Sequence, residues 1–267
     1  MTRHQVDQLF DLSGRVTVVT GACGLIGRRI AAELAARGAR LVLADLAAAD
    51  PEGFATQLNA EGCDSCLGTA CDVSEAVQVQ DLVATSVQTF GRVDVLINAH
   101  QYKPKGFLDA NAETFPEDLW DAVIAANLKG TFLTCRDFGK QMLAQGKGSI
   151  VNFASVYGVV SSNPFLYETN SLGNPLAYSA SKGGVIMLTK YLGAYWAARG
   201  VRVNAVTPHG VWNRHEPAFD ERFSRMSPMG RMMRSEEVVG AVVYLASDAS
   251  SYVTGSNVLV EGGWTAW

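Results

Sequence analysis

Val16-Thr-Val-Val-Thr20, Gly21-Ala-Cys-Gly-Leu-Ile-Gly27, Arg28-Arg-Ile-Ala-Ala-Glu-Leu-Ala-Ala-Arg-Gly38 and Ala39-Arg-Leu-Val-Leu-Ala-Asp45 run without a break, and their reading decides the fold. The first run is short, apolar and β-branched, which suits a strand buried on both faces. Gly21, Gly24 and Gly27 then recur at a spacing of three. Ile30, Ala31, Leu34 and Ala35 follow at helical spacing, and Gly38 supplies the stop. Leu41, Val42 and Leu43 form a second strand, closed by Asp45.

A strand, glycine turn, helix and strand ending in an acid suit a dinucleotide. Glycine allows positive φ and lets the backbone approach a pyrophosphate. The helix start offers free N–H groups to the phosphates. Gly21, Cys23, Gly24, Leu25, Ile26 and Gly27 are therefore the expected phosphate cradle. Asp45, 18 residues beyond Gly27, is expected to accept the adenosine ribose hydroxyls beside Leu46. A carboxylate there repels a 2′-phosphate, and no Lys or Arg sits in the turn, so NAD is expected over NADP.

The 267 residues are 48% apolar, ample for a core, and are read as one domain, 1–267. Lys and Arg number 22 against 26 Asp and Glu, a net charge of −4 that lacks the footprint of a nucleic-acid binder. No apolar run approaches the roughly 20 residues of a membrane span. Met1 to Gly14 is polar and carries acids, unlike a signal peptide. The expectation is a cytoplasmic protein with a small-molecule substrate and neither nucleic-acid nor membrane partners. Five cysteines without a secretion signal predict reduced thiols. Cys63-Asp-Ser-Cys66 lacks the second pair that a structural zinc would want, so no metal is expected.

Along the chain, Pro51 to Glu61 reads as a helix and Cys66 to Ala70 as a strand. Ser74 is the expected N-cap of a helix reaching Phe90. Strands are predicted at Val93–Ile97, Gly148–Phe153, Val201–Thr207 and Ser256–Val260. Helices are predicted after Pro116, from Tyr178 to about Arg199, and from Ser235 to Ser247. This alternation predicts an α/β fold: a Rossmann-type, doubly wound parallel sheet of about seven strands, with helices on both faces. Asp72, Asn98, Ser155 and Pro208 fall at strand ends, where such sheets bind ligands.

Tyr178 and Lys182 lie four apart on one helix face. An ammonium beside the phenol is expected to lower its pKa and make it a usable acid/base. Ser155 is placed to hold a substrate oxygen by a hydrogen bond.

The chain resembles the short-chain dehydrogenases/reductases over nearly its whole length. The matching pieces are Thr20-Gly21…Gly27, Asp45, Asp72-Val73, Asn98-Ala99, Asn127, Asn152-Phe-Ala-Ser155, Tyr178…Lys182, Asn204…Pro208 and Glu261-Gly-Gly263. The resemblance implies a catalytic set of Asn127, Ser155, Tyr178 and Lys182. Tyr178 would be the acid/base, Ser155 would position the reacting oxygen, and Lys182 would bind the nicotinamide ribose and tune the phenol. Asn127 would hold a water in a proton relay. Asp72 and Val73 would contact adenine; Asn98, Ala99, His100, Pro208, Gly210, Val211 and Asn213 complete the implied cofactor set. There are departures. Leu25 fills the middle glycine position of the usual TGxxxGxG, His100 stands where a small residue is usual, and His209 follows Pro208 in place of glycine.

Ser155 and Tyr178 are 23 apart, farther than is usual in the family, and the extra residues fall in 161–175. Phe165, Leu166 and Tyr167 are too apolar for a solvated loop, so this insert is expected to wall the substrate pocket or contact a subunit. His100, Tyr157, Tyr167, Glu168, His209 and Trp212 are the candidate substrate residues. They mix aromatic faces with donors and acceptors, which favours a sugar, polyol or sugar acid. A 3-oxoacyl or simple ketone reductase is the second reading, and an NAD-binding redox sensor the non-enzymatic one. Gly24-Leu-Ile-Gly27, Tyr167-Glu-Thr-Asn170 and Gly262-Gly-Trp-Thr-Ala-Trp267 also resemble dehydrogenases encoded with nonulosonic (legionaminic-type) acid biosynthesis. Apolar residues on more than one face of the helices at 130–145 and 178–199 predict a homotetramer or homodimer.

Overall fold

A computed structural model describes residues 2–63, 65–105, 111–163, 166–167 and 175–267, without the side chains of residues 3–5. A short helix α1 (Arg3–Leu9) precedes β1 (Val16–Thr20), α2 (Leu25–Ala36), β2 (Arg40–Asp45), α3 (Pro51–Ala60), β3 (Cys66–Ala70), α4 (Ala76–Phe90) and β4 (Val95–Asn98). The second half holds α5 (Glu117–Ile124), α6 (Gly130–Gln145), β5 (Gly148–Phe153), α7 (Leu176–Trp196), β6 (Val201–Pro208), α8 (Pro217–Arg225), α9 (Val239–Ala246) and β7 (Asn257–Val260). The strands form one sheet, ordered β3-β2-β1-β4-β5-β6-β7, and every pairing is parallel.

Strand alternation builds two cores. Leu41, Leu43, Val95 and Ile97 point to the face covered by Ile30 and Leu34 of α2, Phe54 of α3 and Val242 of α9. Val42, Ala44, Leu96 and Ile150 point to the opposite face, under Leu82 of α4, Phe138 of α6 and Trp196 of α7. Both faces being covered explains why these strands read as unbroken apolar runs. The order reverses between β1 and β4, which opens a crevice at their carboxyl ends.

Several elements differ from the sequence reading, among them α1, which was not expected, and β4, which is shifted to Val95–Asn98. Ser74 does not cap α4. Its N–H and Oγ–H both donate to Asp72 Oδ1, at 2.9 and 2.7 Å, and the helix starts two residues later. The carboxylate of the preceding strand-end residue outcompetes the helix for the serine. The helical region after Pro116 is interrupted by a π-turn, Ala125–Lys129, which contains Asn127. Helix α8 was not anticipated: Pro217 starts it, and Phe219 and Phe223 are its buried residues.

Candidate active site

A cavity of about 1020 Å³ opens along the carboxyl ends of the strands. One end is the glycine turn. Gly21 has φ +69, and a Cβ there would lie 2.6 Å from His100 N and Cα. A Cβ on Gly27 would reach within 2.9 Å of the Ala22 backbone and closer still to Gly21 O. The turn thus forms a bare-backbone cradle at the start of α2, the surface a pyrophosphate needs. Asp45 Oδ2 accepts from Cys23 N and Oδ1 from Leu46 N, both at 2.8 Å, so the carboxylate is fixed beside the turn. Arg28 is directed to Cys23 O at 3.0 Å and lies over the Phe54 ring. These groups fit a dinucleotide whose adenosine ribose meets Asp45.

Gly21, Gly24, Leu25, Ile26, Gly27, Asp45, Leu46, Asp72, Val73, Ala99, His100, Pro208, Gly210, Val211 and Asn213 all line the cavity, as do Ser155, Tyr157, Tyr167, Tyr178 and Lys182. Cys23 contributes its backbone N–H to Asp45. Asn98 is buried beneath the cavity and donates to Asn152 Oδ1 at 2.9 Å. Trp212 is half exposed and outside the wall, because its backbone is drawn to Met233 O and its indole projects to solvent. Glu168 lies outside the described residues.

The chemistry sits where β5 ends. Ser155 opens a tight turn, and its Oγ accepts from Tyr157 N at 3.2 Å, which leaves its hydroxyl proton to be donated into the cavity. Gly158 lets this turn press on α7: a Cβ there would lie 2.6 Å from the Lys182 carbonyl carbon. Lys182 is buried, and its Nζ donates to Phe153 O at 2.7 Å and sits 5.7 Å from the Tyr178 ring centre. The expected lowering of the Tyr178 pKa is not what the structure holds. Burial pushes the phenol up to about 12, against the lowering influence of the nearby Ser155 hydroxyl. Burial likewise pulls Lys182 down to about 7, aided by the Lys103 charge. The sequence places the ammonium beside the phenol correctly, but burial of both groups outweighs their attraction.

Asn127 is fully buried, and its amide faces the Tyr102 peptide. Oδ1 accepts from Tyr102 N at 2.7 Å, while Nδ2 faces Tyr102 O at 3.5 Å. His100, the residue in an unusual place, bridges β1 to α6: Nδ1 lies 2.7 Å from Thr20 Oγ1 and Nε2 3.2 Å from Thr131 Oγ1. Burial lowers its pKa to about 3, so it is a neutral structural strut at neutral pH.

The far end of the cavity is an aromatic cage. Tyr157 and Tyr167 share a hydroxyl–hydroxyl bond of 2.7 Å, and Tyr167 packs on Phe219. Phe219, Phe223 and Met232 were missed by sequence reasoning. Phe219 and Phe223, four apart behind Pro217, carried the helical signal that would have found α8. All five cysteines are free. Among the described residues no helix is long and apolar enough to cross a membrane.

Lys182 makes stability depend on pH in a defined direction. Its pKa falls from 10.5 unfolded to about 7 folded, so between those values the unfolded chain binds more protons. Stability therefore rises with pH through that window, and the penalty is full below it. Denaturant unfolding at several pH values is expected to show wild type gaining about 2 kcal/mol on Lys182→Met between about pH 7.5 and 9.5. Parallel profiles would contradict the burial of this ammonium.

A family model described as enoyl-(acyl carrier protein) reductase matches residues 21–265. The chain is 38% identical over 276 residues to a D-threitol dehydrogenase of Mycolicibacterium smegmatis, covering 99% of each. It is 36% identical to a galactitol 2-dehydrogenase (L-tagatose-forming) of Cereibacter sphaeroides, covering 97% of this chain and 98% of that one. The solved structure of a gluconate 5-dehydrogenase from Burkholderia cenocepacia J2315, in complex with NADP and tartrate, has a TM-score of 0.87 and 29% identity, covering 97% of this chain and 98% of that one. Matches that run from the glycine turn to the end of the chain leave one reading of its ancestry: the protein belongs to the short-chain dehydrogenase/reductase family of nicotinamide-dependent oxidoreductases.

Proposed function

We propose that the protein is an NAD-dependent oxidoreductase that interconverts an alcohol and a ketone on a polyhydroxylated substrate, a sugar, polyol or sugar acid. The observation that carries this reading is that Ser155, Tyr178 and the buried Lys182 line one cavity, with Lys182 Nζ 5.7 Å from the Tyr178 ring centre. The turn at Gly21–Gly27, Asp45, Asp72-Val73 and the loop after β6 would hold NAD, whose nicotinamide takes up or gives the hydride. Ser155 fixes the substrate oxygen, because its own acceptor side is filled by Tyr157 N. Tyr178 gives the proton to that oxygen in reduction and takes it in oxidation. Lys182 would hold the cofactor ribose, and its charge beside Tyr178 would favour the phenolate against the burial that opposes it. Asn127 holds the loop carrying His100 to Lys103 through the Tyr102 peptide. A relay water would be held by the amide N–H and oxygen lone pair that the Tyr102 peptide does not use.

Hydroxyls and imidazoles set among aromatic rings favour a polyhydroxylated substrate over an acyl chain, which wants a mostly apolar slot. The named substrates of the threitol and galactitol dehydrogenases point the same way. A redox sensor has no need of the Ser155–Tyr178 acid/base pair. On this reading the whole chain, 1–267, is one catalytic domain that works in the cytoplasm. The exposed Phe132, Met187, Tyr191 and Tyr195 form an apolar face on α6 and α7 suited to a second copy of the chain, in a homotetramer or homodimer.

Tyr178→Phe removes only the proton. Turnover is expected to fall by about two to four orders of magnitude while NAD still binds. Near-normal activity would remove Tyr178 from the mechanism.

Asp45 sets cofactor choice. Wild type is expected to use NAD better than NADP, and Asp45→Ala to cut the NAD/NADP ratio of kcat/KM by about tenfold. Equal use of both cofactors by wild type contradicts this.

Tyr167 of the insert already lines the cavity and bonds Tyr157, so segment 161–175 is read as a substrate wall. Replacing it with a Gly-Ser bridge is expected to raise KM about tenfold or more with the NAD Kd unchanged. Light scattering on the same samples should show a dimer or tetramer before and after replacement. A monomeric wild type refutes the assembly, and a mass change with intact kinetics reassigns the insert to the subunit interface.

A further inference from the structure

His209 follows Pro208 at the carboxyl end of β6 and is one of the residues that line the cavity. Its N–H donates to Val260 O at 2.9 Å, so the sheet fixes the root of the side chain. The ring packs against Phe223 at 5.0 Å and Trp264 at 5.1 Å, and the residue is 4% exposed. Trp264 in turn packs edge-on against Tyr157, whose N–H is held by Ser155. His209 therefore stands on the same wall as the reacting centre.

The tautomer follows from one contact. Nδ1 lies 3.2 Å from Gly210 O, and a carbonyl oxygen can only accept. Nδ1 carries the proton, and Nε2 is left as a lone-pair acceptor. Nε2 is buried and has no hydrogen-bond partner among the described residues. Burial also holds the imidazole below the usual histidine range, which keeps it neutral around pH 7. A buried acceptor without a donor is costly, and a ligand that supplies the donor recovers that cost.

We propose that His209 is a specificity-determining residue whose Nε2 accepts a hydrogen bond from a substrate hydroxyl other than the one that reacts at Tyr178. This rests on the reading of the site as a polyol oxidoreductase and narrows it. The substrate must carry a second O–H donor near the reacting carbon. A simple ketone, an ether oxygen or a thioester presents only lone pairs to Nε2 and is disfavoured.

The test uses the full chain with NAD, comparing threitol and galactitol with butan-2-ol and hexan-2-ol. His209→Phe keeps an aromatic ring against Phe223 and Trp264 but has no acceptor, and His209→Gln returns an acceptor near the Nε2 position. The polyol-to-monool ratio of kcat/KM is expected to fall about tenfold or more in His209→Phe and to recover in part in His209→Gln. The NAD Kd should stay within about twofold. An unchanged ratio in His209→Phe, or a loss explained by weaker NAD binding, overturns the role of His209 alone. A wild type that turns over neither these polyols nor any of a panel of sugars and sugar acids overturns the underlying reading and this inference with it. Should His209→Phe not fold, wild type decides with the monodeoxyfluoro analogues of threitol, in which fluorine replaces the donor. At least one analogue should lose about tenfold in kcat/KM, and full activity with all of them overturns the proposal.

Discussion

Gly27 and Gly21 can carry no side chain, and the rest of the site follows from that. A Cβ on Gly27 would run into Gly21 O and the Ala22 backbone, and one on Gly21 into His100. Bare backbone lets β1, α2 and the end of β4 meet at one point. The same meeting point is the reversal in strand order, so the cradle and the crevice are one feature. From there the cavity runs along the strand ends to Ser155, where a third glycine, Gly158, seats the turn against α7.

The parts of the fold legible in the sequence are those in which a residue type answers to local geometry. The central strands β1, β2 and β4 were legible because both faces are covered, which gives each an apolar run. β3 and β5 match the expected bounds residue for residue. Ser74 misled because a good capping residue was nearer to a better partner, Asp72. Helix α8 was missed because its buried face is only two phenylalanines wide. The grouping of Ser155, Tyr178 and Lys182 was legible from motif order. Their protonation was not, since burial is a property of the assembled chain. Trp212 shows the same limit: an aromatic in a loop near the site gives no sign of which way it points.

Burial of Tyr178 and Lys182 thus opposes the ionisation of both. At pH 7 a phenol raised to about 12 is neutral, and an ammonium lowered to about 7 is about half protonated. Such a pair is sensitive to any charge brought beside it, because the surrounding medium screens little. The aromatic cage at the other end works by the same means, leaving the few polar atoms among its rings with decisive weight. His100 and His209, both outside the family's usual pattern, divide between these tasks. One is satisfied on both nitrogens and braces the loop; the other has a satisfied Nδ1 and an Nε2 without a partner.

The central claim is that hydride moves directly between a substrate carbon and nicotinamide in this cavity. Mixing the protein with NAD and a panel of carbon-deuterated polyols, then reading the nicotinamide by proton NMR and mass spectrometry, tests it directly. The account predicts deuterium at one face of the reduced nicotinamide, with the carbinol carbon oxidised and the hydroxyl proton lost to solvent. Reduced cofactor without deuterium, or no reduced cofactor with any polyol, would contradict it.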